Sequence, residues 1–115
     1  MKRDMDLIRA ILLEVEKSPS PRGCRIEIPG RTREELYYNA QLMQEAGLIE
    51  AKFLRNSTEF HVLRLKYAGH EFLDAARSDT VWEKAKKMLL SATGTITLEG
   101  LKAALPQIVR KLVGG

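Results

Sequence analysis

The residues that come closest to a chemical site are His70, Glu71 and Asp74, in the stretch LRLKYAGHEFLDAARSDTVWEK (63–84). At helical spacing His70 and Asp74 share one face, so they could offer two ligands to a metal ion. A zinc site needs three or four ligands, and the zinc-helix signature places a second histidine where this chain has Asp74. We therefore interpret the trio as the polar first turns of a helix, with acids favouring its positive N-terminal end, and expect no metal site.

Other signatures of catalysis or cofactor binding are missing from the sequence. There is no phosphate-cradling Gly-rich loop, no nucleophile elbow and no convincing acid–base pair. Cys24 is the single cysteine, so it cannot form an internal disulfide, and a role as a small hydrophobic residue is the expectation. We predict a protein that is not an enzyme, has no catalytic residue and needs no cofactor.

Length and composition limit the remaining classes. The chain has 115 residues, 44% hydrophobic and 30% charged, which is typical of one globular domain. Its apolar runs are too short for a membrane span, and its N-terminus lacks the cleavage site of a signal peptide. With one cysteine, cytoplasmic residence is the expectation. A net charge of +4 permits nucleic-acid binding without requiring it.

Eight segments have the periodicity or capping of regular elements. The predicted helices are residues 4–17, 32–47, 69–77, 81–92 and 98–113. The predicted strands are residues 24–30, 48–54 and 59–67, the last two joined as a hairpin by a turn at 55–58. Asp4 can cap the first helix, and Thr32 with Glu35 has capping-box spacing at the second.

This order predicts a mainly helical α+β fold: a winged-helix-like domain of helix, short strand, helix, β-hairpin wing and helix, with a C-terminal helical extension. We divide the chain into that domain, residues 1–80, and the extension, residues 81–115. The extension ends in an apolar helix side that comprises Leu98, Leu101, Leu105, Ile108, Val109 and Leu112. This side either packs on the domain or pairs with a second copy as a homodimer. Membrane-surface binding is disfavoured because no basic cluster accompanies it.

Three stretches together resemble one known family: MKRDMDLIRAILLEVE, LMQEAGLIEA and LKYAGHEFLDAARSDTVWEKAKK. It is a group of small uncharacterised bacterial proteins, often carried by phages and prophages, classified as a domain of unknown function. The resemblance covers nearly the whole chain. It implies a winged-helix-like fold and a phage or prophage setting, and no established activity. LRLKYAGHEFL is also similar to the segment after the wing in many winged-helix regulators, where a glycine, here Gly69, opens the next helix.

The second predicted helix would take the recognition position of a winged helix. Its outward face is predicted to hold Arg33, Glu34, Tyr37, Gln41 and Gln44. Asn39 falls on the inward face, where a buried amide needs partners, and we expect it to bond backbone near Gly69–His70 or in the first strand. Acids outnumber bases in this helix, which disfavours close approach to phosphates.

The predicted wing is more basic than the helix before it, so phosphate contacts are expected mainly there. With duplex DNA as the partner, the expected phosphate contacts are Arg31, Arg33, Lys52, Arg55, Arg64 and Lys66. The expected base readers are Tyr37, Gln41 and Gln44.

Two functions fit these patterns. The first is a winged-helix-like accessory protein of phage or prophage type that binds nucleic acid or regulates transcription through its basic wing. The second is a protein–protein interaction module that uses the winged scaffold without DNA, with a host or phage protein as partner. The second is favoured by the space between Pro29 and Gly47, which holds only one good helix, whereas a helix-turn-helix needs two.

Overall fold

The computed structural model describes residues 2–18, 20 and 22–113, in a mainly helical α+β arrangement. The helices are α1 (Met5–Lys17), α2 (Arg33–Glu45), α3 (Tyr67–Ala76), α4 (Asp79–Thr93) and α5 (Leu98–Val113). The strands in the described residues are β1 (Ile49–Phe53) and β2 (Phe60–Leu65), paired as one antiparallel hairpin. None of the helices in these ranges is long and apolar enough to cross a membrane.

Three of the helices begin at side-chain caps. Asp4 accepts the backbone N–H of Leu7 at 3.1 Å and starts α1. Thr32 and Glu35 form a complete capping box at α2, and Ser78 caps α4. The capping predicted at the first two helices is confirmed, because caps depend on residues within one turn.

The chain divides into two compact units, Met1–Glu71 and Phe72–Gly115. In the first unit, α1 packs against α2 and β2, and α2 packs against β1. The largest side chains fully buried in this unit are Leu7, Ile11, Leu12, Leu36, Met43, Leu48, Ile49 and Phe60. The division into residues 1–80 and 81–115 stays a prediction.

A β-bulge interrupts the hairpin. Glu50 pairs with Arg64, but the next residue, Ala51, pairs with Val62, so Leu63 is an extra residue on β2. The bulge resets the alternation, and Val62 points to the core with 1% of its surface exposed. Val62 and Leu65 are both buried, whereas strict alternation along β2 would place them on opposite faces.

The prediction of a short strand over residues 24–30 is wrong. Of these residues only Cys24 pairs with a strand, through one antiparallel bridge with Val62. The Cys24 N–H donates to the Val62 carbonyl at 2.9 Å and the reverse bond is 3.0 Å. Gly23, with φ +100°, turns the chain on one side of the bridge, and Pro29 lies in a turn on the other. Residues 25–28 form no further ladder pair, and the Ile26 carbonyl accepts a hydrogen bond from the Arg33 side chain instead of from a strand.

Gly69 lies inside α3, which begins two residues earlier than predicted. A Cβ atom on Gly69 would lie 2.1 Å from the carbonyl oxygen of Leu48. Glycine is required here by the close approach of two backbones, and the prediction that it opens the helix is wrong.

The second unit contains the helix pair α4 and α5, which pack together. Trp82 is buried, with 1% of its surface exposed, and its ring meets Phe72 edge to face at 6.1 Å between centroids. On the apolar side of α5, Leu101, Leu105 and Ile108 are buried, while 54% of Leu112 is exposed.

Candidate nucleic-acid interface

One face of the β-hairpin points to the core and the other face points to solvent. On the solvent side Lys52 is opposite His61 and Glu50 is opposite Arg64, and all four side chains are exposed. We call these four residues the hairpin outer face. Arg55 lies in the turn at one end of the hairpin, and Lys66 follows β2 at the other end. The two strands therefore place Lys52 and Arg64 on one face, with Arg55 and Lys66 exposed at its two ends.

The cations of this surface differ in their partners. Arg64 donates from Nε to the Glu50 carboxylate at 2.8 Å, so its charge is largely neutralised. Lys52, Arg55 and Lys66 are exposed and form no ion pair within the described part of the chain. These three side chains can reach phosphates without breaking an internal contact.

Arg31, a predicted phosphate contact, is held in an ion-pair cluster. Its Nη1 lies 2.7 Å from the Asp4 carboxylate and 3.1 Å from that of Glu35. The hydrogen bond to Asp4 and the negative charge of Asp4 raise the pKa of Arg31 above its ordinary value, although burial acts in the opposite direction. This arginine connects the start of α1 to α2 and has little free charge to offer.

Arg33 is packed into the protein, although its position on α2 predicts an outward side chain. Its guanidinium lies 5.0 Å from the centre of the Phe60 ring, and its Nη1 donates to the Ile26 carbonyl. Its Nη2 is 3.8 Å from the Glu59 carboxylate. Nε and Nη2 are buried and form no hydrogen bond within the described residues. Arg33 is thus a structural cation, and its predicted exposure is wrong.

Two of the predicted base readers on α2 bind the hairpin instead of facing solvent freely. The Tyr37 hydroxyl donates to the Leu54 carbonyl at 3.3 Å, and its ring meets Phe53 edge to face at 5.2 Å. The Gln44 side-chain oxygen accepts the Ala51 N–H at 2.6 Å. Helical spacing does not reveal these contacts, because they join α2 to a strand that follows a turn.

Gln41 is the third predicted base reader and remains partly exposed. Its side chain forms no hydrogen bond with any residue that the structure describes. A single free amide leaves α2 with little capacity to recognise base edges, which usually takes several convergent side chains.

Glu59, the acid nearest the hairpin turn in the sequence, is neutralised by Arg25. The Arg25 guanidinium donates to both carboxylate oxygens of Glu59, at 3.0 and 3.1 Å. This hydrogen bonding, together with the nearby positive charges, holds the pKa of Glu59 below its ordinary value, although burial acts in the opposite direction. The sequence reasoning missed Arg25, and the distance of 34 residues between the partners offers no local signal. The pairing leaves the free charge of the hairpin positive.

His70, Glu71 and Asp74 do not form a common site, and each has its own local contacts. His70 is exposed, and its backbone N–H donates to the Lys66 carbonyl. Glu71 binds the Tyr67 hydroxyl, and Asp74 pairs with Arg77 at 3.0 Å. Within residues 2–18, 20 and 22–113, no three His, Cys, Asp or Glu side chains come together as metal ligands.

Comparison with known proteins finds one family model and one relative that cover most of the chain. A family model described as "Hypothetical protein (DUF2513)" matches residues 2–95. A relative from Haemophilus influenzae, described as an uncharacterized protein, is 35% identical over 117 residues, which cover 98% of this chain and 99% of the relative. No solved structure matches the chain. The resemblance to a domain-of-unknown-function family is confirmed.

Proposed function

This chain belongs to the DUF2513 family, and we propose that it is a nucleic-acid-binding accessory protein that holds phosphates on its β-hairpin. The observation that carries the proposal is the set of three exposed cations, Lys52, Arg55 and Lys66, which lack an acidic partner in the described residues. Unpaired Lys and Arg side chains on one surface supply the main attraction for nucleic acid.

The element order supports a winged-helix-type arrangement within this proposal. α1, α2, the hairpin and α3 follow one another as in a winged helix, with the hairpin in the place of the wing. The phage or prophage setting remains part of the proposal through the family resemblance, and a role in transcription through the similarity of LRLKYAGHEFL to winged-helix regulators. Fold analogy alone is a weak argument for function, so the free cations are the stronger support.

The engaged side chains of α2 specify the kind of binding that we propose. Arg33, Tyr37 and Gln44 already bind other parts of the protein, so sequence reading by α2 is limited. Phosphate contacts position a protein without reading sequence. We therefore expect affinity that depends strongly on salt and weakly on base sequence.

The test is a binding titration with labelled oligonucleotides of mixed sequence, duplex and single-stranded, at several salt concentrations. Each lost phosphate contact should reduce the slope of log affinity against log salt by about 0.9 for duplex DNA and about 0.7 for single strands. The informative variant replaces Lys52, Arg55 and Lys66 together by alanine. The matched control removes the same charge from exposed lysines elsewhere, Lys84, Lys87 and Lys111.

The expected result is salt-dependent binding whose slope falls in the hairpin variant and changes less in the control. Equal losses in the two variants would show that net charge, and not the hairpin, drives binding. Absence of salt-dependent binding to either form of nucleic acid rejects the proposal.

A protein–protein interaction module is the second candidate, and the polar surface of α2 favours it. Glu34 and Glu45 are exposed there beside Gln41, while Arg31 and Arg33 are engaged internally. An acidic face of this kind suits a basic protein partner better than a phosphate backbone. The test is capture of one partner at defined stoichiometry by the wild-type protein and its loss when Glu34, Gln41 and Glu45 are replaced by alanine. Retention of that partner by the variant would exclude this face.

A further inference from the structure

Tyr67 is the most exposed of the large hydrophobic side chains in the described residues, with 79% of its surface accessible. It is the first residue of α3 and directly follows Lys66. The other two tyrosines are largely covered, and the Tyr37 ring packs against phenylalanines, whereas the Tyr67 ring contacts no aromatic ring in the described residues. Its faces are therefore open to a planar partner.

The Tyr67 hydroxyl has an acidic neighbour. Hydrogen bonding to the carboxylate of Glu71, one helical turn later, raises the pKa of Tyr67. The negative charge of Glu71 beside the hydroxyl favours a base over a phosphate at this position.

Tyr67 and the free cations are distributed along the length of the hairpin. Arg55 is in the hairpin turn, Lys52 is near the turn end of β1, and Lys66 directly precedes Tyr67 at the other end. A strand of five residues, as β1 is, spans about 17 Å, so these groups form an extended surface and not a compact pocket. A basic track with an aromatic platform is the combination that binds single strands without sequence preference.

We infer that the hairpin outer face, with Arg55, Lys66 and Tyr67, binds single-stranded nucleic acid, with phosphates on the free cations and one base stacked on the Tyr67 ring. The inference rests on the proposed function and specifies its ligand. Duplex DNA fits this surface less well because its bases are stacked on each other and cannot stack on an isolated ring. The groove-reading role that a duplex would require of α2 is also limited by its internal contacts.

The test compares oligothymidylate, oligouridylate and a mixed-sequence duplex of equal length by fluorescence anisotropy at low salt. Tyr67→Leu removes the aromatic ring, and Tyr67→Phe keeps it but removes the hydroxyl. Both changes are at an exposed site, so folding should be preserved. We expect the single strands to bind more tightly than the duplex. Tyr67→Leu should weaken single-strand binding about five-fold or more, while Tyr67→Phe retains most of it and neither variant changes duplex binding.

A second readout uses Tyr67→Trp. The natural Trp82 is buried, with 1% of its surface exposed, so an added exposed tryptophan reports on its own surroundings. Stacking on a base should quench its fluorescence with the single strands and not with the duplex. Comparison of the thymidine and uridine strands assigns DNA or RNA as the preferred source of this ligand.

The possible failures are distinguishable. Duplex binding as tight as single-strand binding, or unchanged affinity in Tyr67→Leu with no quenching in Tyr67→Trp, overturns this inference while the phosphate-binding hairpin stands. Absence of salt-dependent binding to every oligonucleotide overturns the proposed function and the inference together.

Discussion

The side-chain oxygen of Asn39 on α2 accepts the backbone N–H of Asp4, the capping residue of α1, at 2.9 Å. The same amide donates from Nδ2 to the Glu35 carbonyl at 2.9 Å. Asn39 is buried, with 1% of its surface exposed, and it is the only buried polar residue in the described part of the chain. This amide thus fastens the start of one helix to the middle of another.

Replacing Asn39 by alanine should lower the free energy of unfolding by about 1–3 kcal/mol, because the partly buried Asp4 N–H loses its acceptor. Urea unfolding followed by circular dichroism measures the change. Gln41→Ala, on the same helix but partly exposed, is the matched control and should change stability by about 0.5 kcal/mol or less. Equal effects of the two substitutions would mean that the Asn39–Asp4 bond contributes no stability.

Gly69→Ala should destabilise the protein by about 3 kcal/mol, because the new Cβ would lie 2.1 Å from the Leu48 carbonyl oxygen. That oxygen also accepts the Lys66 N–H, so moving it disturbs the junction of hairpin and helix. The measurement is the midpoint of urea unfolding. His70→Ala, the exposed neighbour on α3, should leave the midpoint unchanged. A stable Gly69→Ala protein would contradict this close approach of α3 to the start of β1.

Arg33→Ala should reduce stability by about 1–3 kcal/mol, because the guanidinium covers the Phe60 ring and donates to the Ile26 carbonyl. Arg55→Ala removes an exposed cation from the hairpin turn and should leave stability unchanged. The two proteins are compared by thermal unfolding and by oligonucleotide binding at a temperature where both are folded. If Arg33→Ala weakened binding as much as Arg55→Ala did and left stability unchanged, Arg33 would act as the exposed phosphate contact that the sequence predicts.

The Arg25–Glu59 pair predicts a loss of stability in acid. The pKa of Glu59 is held below its ordinary value of 4.5, chiefly by the Arg25 hydrogen bond. A lowered pKa in the folded state means that the unfolded chain takes up this proton first as pH falls. The stabilisation is therefore complete above the ordinary pKa and is lost as pH falls through the lowered one.

Glu59→Gln should accordingly lower the melting temperature at pH 7, and this difference from the wild type should be smaller at pH 3. Circular dichroism melts at the two pH values make the measurement. Glu34→Gln makes the same charge change at an exposed site on α2. A Glu59→Gln difference that is as large at pH 3 as at pH 7 would show that the pair does not act through its charge.

The parts of the fold that depend on neighbouring residues could be predicted from the sequence. The caps at Asp4 and Thr32, the five helices and the hairpin turn all follow from residues within a few positions of each other. Whether residues 24–30 form a strand could not be predicted from neighbouring residues alone. An extended pattern predicts a strand only if a partner edge aligns with it, and here only Cys24 meets Val62.

The candidate site was predicted less well than the fold, since long-range contacts determine which charges are free. Arg33 and Lys52 are both basic and near polar residues in the sequence, yet one is covered by Phe60 and the other is exposed. Hydrophobic periodicity also gave no sign of Tyr67, because it placed this residue in a strand and not at the start of α3. Side-chain partners that lie dozens of residues apart leave no local pattern.

The contacts between α2 and β1 also affect self-association. The Gln44 side-chain oxygen accepts the N–H of Ala51, and the Tyr37 hydroxyl donates to the carbonyl of Leu54. An open strand edge is a template on which further strands can pair, within a copy or between copies. With these two groups already satisfied by its own helix, this edge offers an incoming chain an incomplete ladder. The hairpin is thus shielded on its β1 side from growth into an intermolecular sheet, while its charged face stays open to solvent.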